Sequence, residues 1–112
     1  MATAVACVGE EDHVDALLRA ALANHRSISP IEEFCQVQVV PEGGEVRIYS
    51  KTGEWLASLA PSDAAELRGQ IDQTIAQHGK MWCDARITGT EGLASQWRMR
   101  LWVYFEEDAA IV

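Results

Sequence analysis

Apolar and polar residues alternate along this chain with two different periods, and the switches between them mark its elements. TAVACVG (Thr3 to Gly9) is β-branched and apolar and ends at a glycine, which predicts a first strand. From about Asp12 to His25 the period is helical, with Val14, Leu17, Leu18, Ala21 and Leu22 on one stripe. A polar connection follows, Pro30 bars continuation of the helix, and IEEF reads as an added turn before the next strand. Cys35 to Pro41 then alternates, with Cys35, Val37 and Val39 on one side and Gln36 and Gln38 on the other. The pair Gly43-Gly44 sits in an acidic turn, Glu45 to Ser50 alternates again, KTG turns once more, and Glu54 to Leu59 is a third strand of this group. Period-two runs bounded by glycine turns predict antiparallel hairpins.

At Pro61 the period changes back. Ala64, Leu67, Ile71 and Ile75 form a helical stripe that stops at Gly79, with Pro61 and Asp63 suited to the first turn. Lys80 to Gly89 alternates, with Met81, Cys83, Ala85 and Ile87 inward and Lys80, Trp82, Asp84 and Arg86 outward. TGTEGLAS is expected to be a loop. QWRMRLWVYFEED alternates to the end, with Trp97, Met99, Leu101, Val103 and Phe105 on one face. Arg98, Arg100, Trp102 and Tyr104 fall on the other. The order β-α-β-β-β-α-β-β predicts an α+β fold, a small barrel-like, mostly antiparallel sheet of about six strands with two helices.

The chain has 112 residues, a length suited to a single domain spanning 1–112. Its formal charge of −8 opposes nucleic acid and anionic membrane over the surface as a whole. The segment 80–104, with four basic and two acidic residues, is the only net positive part. Three cysteines, Cys7, Cys35 and Cys83, form no CxxC and lie in apolar strands, which predicts reduced buried thiols and a cytoplasmic protein. No signal peptide or membrane-spanning run is visible.

No catalytic constellation emerges: no nucleophile elbow, Walker loop, zinc-protease helix or dinucleotide fingerprint. The chain therefore reads as a non-enzyme without cofactor or metal. His13, His25 and His78 are scattered at helix ends and suit solvated or capping roles. Glu10, Glu11 and Asp12 resemble a carboxylate patch, but complementing the dipole of the following helix explains them more simply. One pattern points to binding. If the last two strands pair, Trp82 and Arg86 share a face with Arg98, Arg100, Trp102 and Tyr104. Interleaved guanidinium and aromatic groups suit single-stranded nucleic acid, charge for the backbone and stacking for the bases. The competing reading has these aromatics covered by a helix or a second subunit and the arginines paired with surplus acids. The same composition serves a protein-interaction or self-associating domain, so a protein partner or a homo-oligomer is the alternative.

Three stretches resemble the HIRAN domain, a module of some DNA-repair helicases and of small bacterial proteins. ACVGEEDHVDALLRAAL looks like its opening strand and helix, and VQVVPE with EVRIYSKTGEWLASLAPSDAAEL like its central hairpin and helix start. WCDARITGT with WRMRLWV looks like its closing strand pair. The resemblance covers roughly residues 4–104 and rests on scaffold positions such as Val8, Gly9, Pro41, Glu42, Val46, Gly53, Leu59 and Asp63. It implies an OB-like barrel with two helices, a grip on single-stranded or 3′-ended DNA, and no catalysis. The chain departs from the family where PEGG runs straight into EVRIYS, without the usual loop carrying Asp-Asn-Pro. Its first strand also lacks the family's aromatic and basic residues. No DNA-contacting residue is carried over.

Overall fold

Strand β1 (Ala2–Val8) pairs antiparallel with two different neighbours, and this exchange helps to close the sheet. In the computed structural model, which describes residues 2–22, 31–91 and 97–106, Ala2 to Ala6 lie opposite Glu106 to Trp102 of β6 (Trp97–Glu106). Cys7 and Val8 lie instead opposite Leu59 and Ser58 of β4 (Trp55–Leu59). Strand β2 (Ile31–Glu42) makes the same exchange. Its residues Ile31 to Gln38 pair with Gly89 to Trp82 of β5 (Trp82–Glu91), and Gln38 to Glu42 pair with Tyr49 to Glu45 of β3 (Glu45–Tyr49). The result is a closed barrel in the order β1-β4-β3-β2-β5-β6, antiparallel at every pairing. Two helices complete the α+β barrel that the periodicity predicts.

Local chemistry explains the tight connections. Gly43 and Gly44, at φ 61° and 84°, supply the two left-handed residues of the β2–β3 turn and hold Glu42 opposite Glu45. Helix α2 (Pro61–His78) begins at proline and ends where Gly79, at φ 83°, donates its N–H to the Ile75 carbonyl at 2.7 Å. Helix α1 (Val14–Leu22) touches β2, β4 and β6, which are not neighbours in the barrel, so it lies across an open end. It inserts Leu17, fully buried, with Ala16 and Ala21 beside it. The fully buried Ile71 is α2's contribution to the same core, with Ala64, Leu67 and Ile75 packed on its margin. Between the helices lie Val37, Val39, Val46, Ile48, Leu56, Ile87, Leu101 and Val103, all essentially without exposed surface.

The structure corrects several boundaries. IEEF is no turn but the start of β2, because Ile31 to Phe34 pair with Gly89 to Arg86. Thr88 to Glu91, expected to belong to a loop, are strand, since they pair with Arg100 to Trp97. In both places residues of turn-like or helix-like composition are recruited by a partner strand, distant in sequence for Ile31 to Phe34 and across a hairpin for Thr88 to Glu91. The first helix starts at Val14, after a separate 3₁₀ turn at Glu10–Asp12. His25, residues 92–96 of the expected loop and the side chain of Trp97 lie outside the described residues.

Glu10 is the sharpest correction. It does not face a helix end in solvent but is buried, with 5% exposure. Its carboxylate accepts the Leu101 N–H at 3.0 Å and the Arg100 Nε–H at 3.2 Å. On a continuing β1–β6 ladder Leu101 would face Cys7, but Cys7 has already turned to β4. Glu10 therefore supplies the acceptor that the departing strand removes. Glu10→Ala, which leaves the Leu101 N–H buried and unpaired, should cost about 1–3 kcal/mol in urea unfolding. Glu10→Gln keeps an acceptor and should recover most of that loss; equal midpoints for the Ala variant and the native chain would show that the seam does not depend on this contact.

Candidate nucleic-acid interface

The β5–β6 hairpin sorts its residues by the pleat. Ala85, Ile87, Met99, Leu101 and Val103 enter the core, and the residues between them must face out. Arg86 lies directly opposite Trp102, and its Cζ stands 4.7 Å from the Trp102 ring centroid. Arg100, two residues before Trp102 on the same strand face, places its Cζ 5.4 Å from that centroid. A cation over an indole face is worth about 0.5–1 kcal/mol at an exposed site, so this trio is mutually ordering.

The six residues that the sequence groups all leave from the outer side of the barrel, but they do not form one cluster. Arg86, Arg100 and Trp102 are in contact. Arg98 is exposed one step further out, opposite Thr90. Trp82, 44% exposed, lies four residues before Arg86 with Asp84 between them. It and Tyr104 border a cavity of about 560 Å³ whose far side is Gln70 and Thr74 of α2. Helix α2 thus meets only the Trp82–Tyr104 end of the face, where Gln70 Nε2–H donates to the Glu106 carbonyl at 2.8 Å.

Acids hold part of the positive charge. Arg86 Nη1 lies 3.7 Å from Glu32 of β2, whose side chain is largely exposed, while Arg100 is tied to the buried Glu10. The Arg86 Nε is buried without a hydrogen-bond partner. Among the described residues Arg98 has no ion-pair partner.

Sequence reasoning missed Phe34. It is 62% exposed and sits on β2 directly opposite Arg86, so Phe34, Arg86 and Trp102 make one row across three strands. The signal was present, because the alternation of Cys35, Val37 and Val39 extends backward and places Phe34 outward. A second arginine–tryptophan stack was also missed. Arg47 Cζ lies 4.0 Å above the Trp55 ring, and the His13 ring packs on the same indole with centroids 4.5 Å apart. His13 is therefore a packing residue as well as the cap that the sequence expects, its backbone N–H donating to the Glu10 carbonyl at 3.0 Å at the end of the 3₁₀ turn. Here the cation is spoken for: Arg47 Nε–H donates to Glu45 at 2.8 Å, and Glu42 lies 3.6 Å from its Nη1. The hydrogen bond to Glu45 raises the Arg47 pKa further. That stack is a strut, whereas the one on β5–β6 borders an uncommitted cation.

Among the described residues no group of three or more histidine, cysteine or carboxylate side chains is arranged to hold a metal ion. Nor is any helix among the described residues long and apolar enough to cross a membrane. Comparison with family models, curated proteins and solved structures returns no match. The three thiols are free; Cys7 and Cys83 are buried, and Cys35 is half-buried rather than enclosed. Burial pushes the Cys7 and Cys83 thiols from 9.0 up to about 12 and also raises that of Cys35. Because the folded chain disfavours these thiolates, the stability they represent is complete below pH 9 and is lost as pH rises toward 12. Urea unfolding should accordingly weaken progressively over that range. Iodoacetamide at neutral pH should modify native Cys35 before Cys7 or Cys83, with all three reacting readily in urea.

Proposed function

We propose that this chain is a non-catalytic binding module, HIRAN-like in character, that holds single-stranded nucleic acid on the outer face of β5–β6 and the adjoining β2. The observation that supports it is the Phe34–Arg86–Trp102 row with unpaired Arg98 beside it. Phosphates are contacted by Arg86, Arg98 and Arg100. Bases stack on the open ring of Phe34 and on the edge of the Arg–Trp stack, a sequence-tolerant mode. The Arg86–Glu32 pair, long at 3.7 Å, half-buried at the arginine and exposed at the glutamate, is weak enough for a phosphate to displace. The surrounding charge of −8 keeps this contact local. Free thiols fit a cytoplasmic setting.

Three phosphate contacts to a single strand correspond to a log–log salt slope of about −2, at about −0.7 per phosphate. Fluorescence anisotropy of a labelled mixed-sequence oligonucleotide at several salt concentrations measures it. Arg98→Ala should weaken binding and flatten the slope by about one contact, with the thermal midpoint unchanged. Arg98 is a cleaner probe than Arg100, whose removal also disturbs buried Glu10. Absence of binding at low salt, where electrostatic attraction is strongest, ends this reading.

A protein-interaction or self-associating module is the second reading, favoured by the exposure of Phe34 and Trp82 on neighbouring strands. Light scattering during size-exclusion chromatography decides the self-associating form: a monomer at high concentration eliminates it.

A further inference from the structure

The hydrogen-bond parity of β2 leaves part of its backbone facing away from any strand among the described residues. Val39 donates its N–H to the Met81 carbonyl at 2.9 Å, continuing the β2–β5 register. In an antiparallel ladder every second residue turns both backbone groups to the same neighbour. Cys35, Val37 and Val39 therefore face β5, and Phe34, Gln36 and Gln38 face the opposite side. The β3 register agrees, since Gln38, Val40 and Glu42 lie opposite Tyr49, Arg47 and Glu45. Strand β3 stops at Tyr49, opposite Gln38. Beyond that point Phe34 and Gln36 still direct N–H and C=O to that side, where no strand among the described residues pairs with them.

A cavity of about 750 Å³ lies on this side of β2. Phe34 and Gln36 form one wall, the β3–β4 turn at Lys51 and Thr52 another, and Arg19 of α1 a third. Arg19 is anchored there by its two-point hydrogen bond to Glu54, with Nε 2.9 Å and 3.1 Å from the carboxylate oxygens.

We propose that this edge receives an extended, uncharged peptide segment of a partner protein, added as a strand in line with β3. Two residues presenting N–H and C=O at a spacing of about 7 Å match a β-strand's own repeat. The peptide's alternate side chains face either Leu56 and Ala20 within the cavity or the exposed ring of Phe34, so apolar residues are favoured at those positions. Charge selects a neutral segment: Arg19 is matched by Glu54, and Lys51 is balanced by Asp84 along the same lining. This site uses the backbone edge of β2 and the cavity beside it, and of the residues assigned to nucleic-acid binding on the outer sheet face it shares only the Phe34 ring.

The test is a titration of the ¹⁵N-labelled chain with the capped peptide acetyl-Thr-Val-Thr-Val-Thr-amide, with amide hydrogen exchange read residue by residue. Shifts centred on Phe34 and Gln36, with slowed exchange of those two amides, are expected. Gln36→Pro removes one donor on the open side and spares the β5 ladder, which proline tolerates at an edge. It should weaken the peptide about tenfold, the loss of roughly one net hydrogen bond, while leaving oligonucleotide binding intact. If that variant does not fold, exchange at Phe34 and Gln36 in the native chain decides. Unperturbed Phe34 and Gln36 amides at millimolar peptide, or equal affinity in the proline variant, overturn the proposal. So does protection of these amides by self-association alone, which would make a second copy the occupant.

Discussion

The barrel depends on two strands that change neighbours part-way along. β1 passes from β6 to β4, and β2 from β5 to β3, and these exchanges close a six-stranded antiparallel sheet. Each exchange strands backbone groups that had been promised a partner, and a buried N–H without an acceptor is expensive. At the β1 exchange the cost is met inside the fold, because the Glu10 carboxylate takes the Leu101 N–H that Cys7 no longer faces. At the β2 exchange the groups belong to Phe34 and Gln36, beside a cavity open to solvent. Among the described residues the two seams therefore have opposite characters, one sealed and one without a pairing strand.

Closure also decides what the outside can be used for. With Leu101, Val103, Ile87 and Val37 packed within and Leu17 and Ile71 brought by the helices, each fully buried aliphatic contributes about 1.5–3 kcal/mol. The outward residues of the same strands are released from packing duty. On β3–β4 that freedom produces an arginine–tryptophan stack whose cation is held by two glutamates. On β5–β6 a chemically similar stack sits beside Arg98 and across from Phe34. Each stack meets two glutamates, and what separates the candidate interface from the structural stack is the additional Arg98, which has no ion-pair partner among the described residues. A chain with a charge of −8 can present a basic strip only where its acids are turned elsewhere.

Much of this architecture is legible in the chain as written. The alternation of Val46 and Ile48, the Gly43-Gly44 turn, the Pro61 start and Gly79 stop of α2, and the inward Leu101, Val103 and Phe105 all follow from local periodicity and backbone preference. So does the outward direction of Arg86, Arg98, Arg100 and Trp102, once two strands are assumed to pair. These properties are set by residues within a few positions of one another.

Tertiary structure alone decided the rest. Ile31 to Phe34 and Thr88 to Glu91 become strand because each finds a complementary edge more than forty residues away or across a hairpin, against their own composition. The buried role of Glu10 requires a contact across ninety positions of sequence, to Arg100 and Leu101. Separation of Trp82 from the Arg86–Trp102 contact, exposure of Phe34 and the open edge of β2 depend on where each strand stops, which is a property of its neighbour. Sequence determined which residues form elements and which face each presents; only closure of the barrel determined which backbone and side-chain groups were left over for a partner.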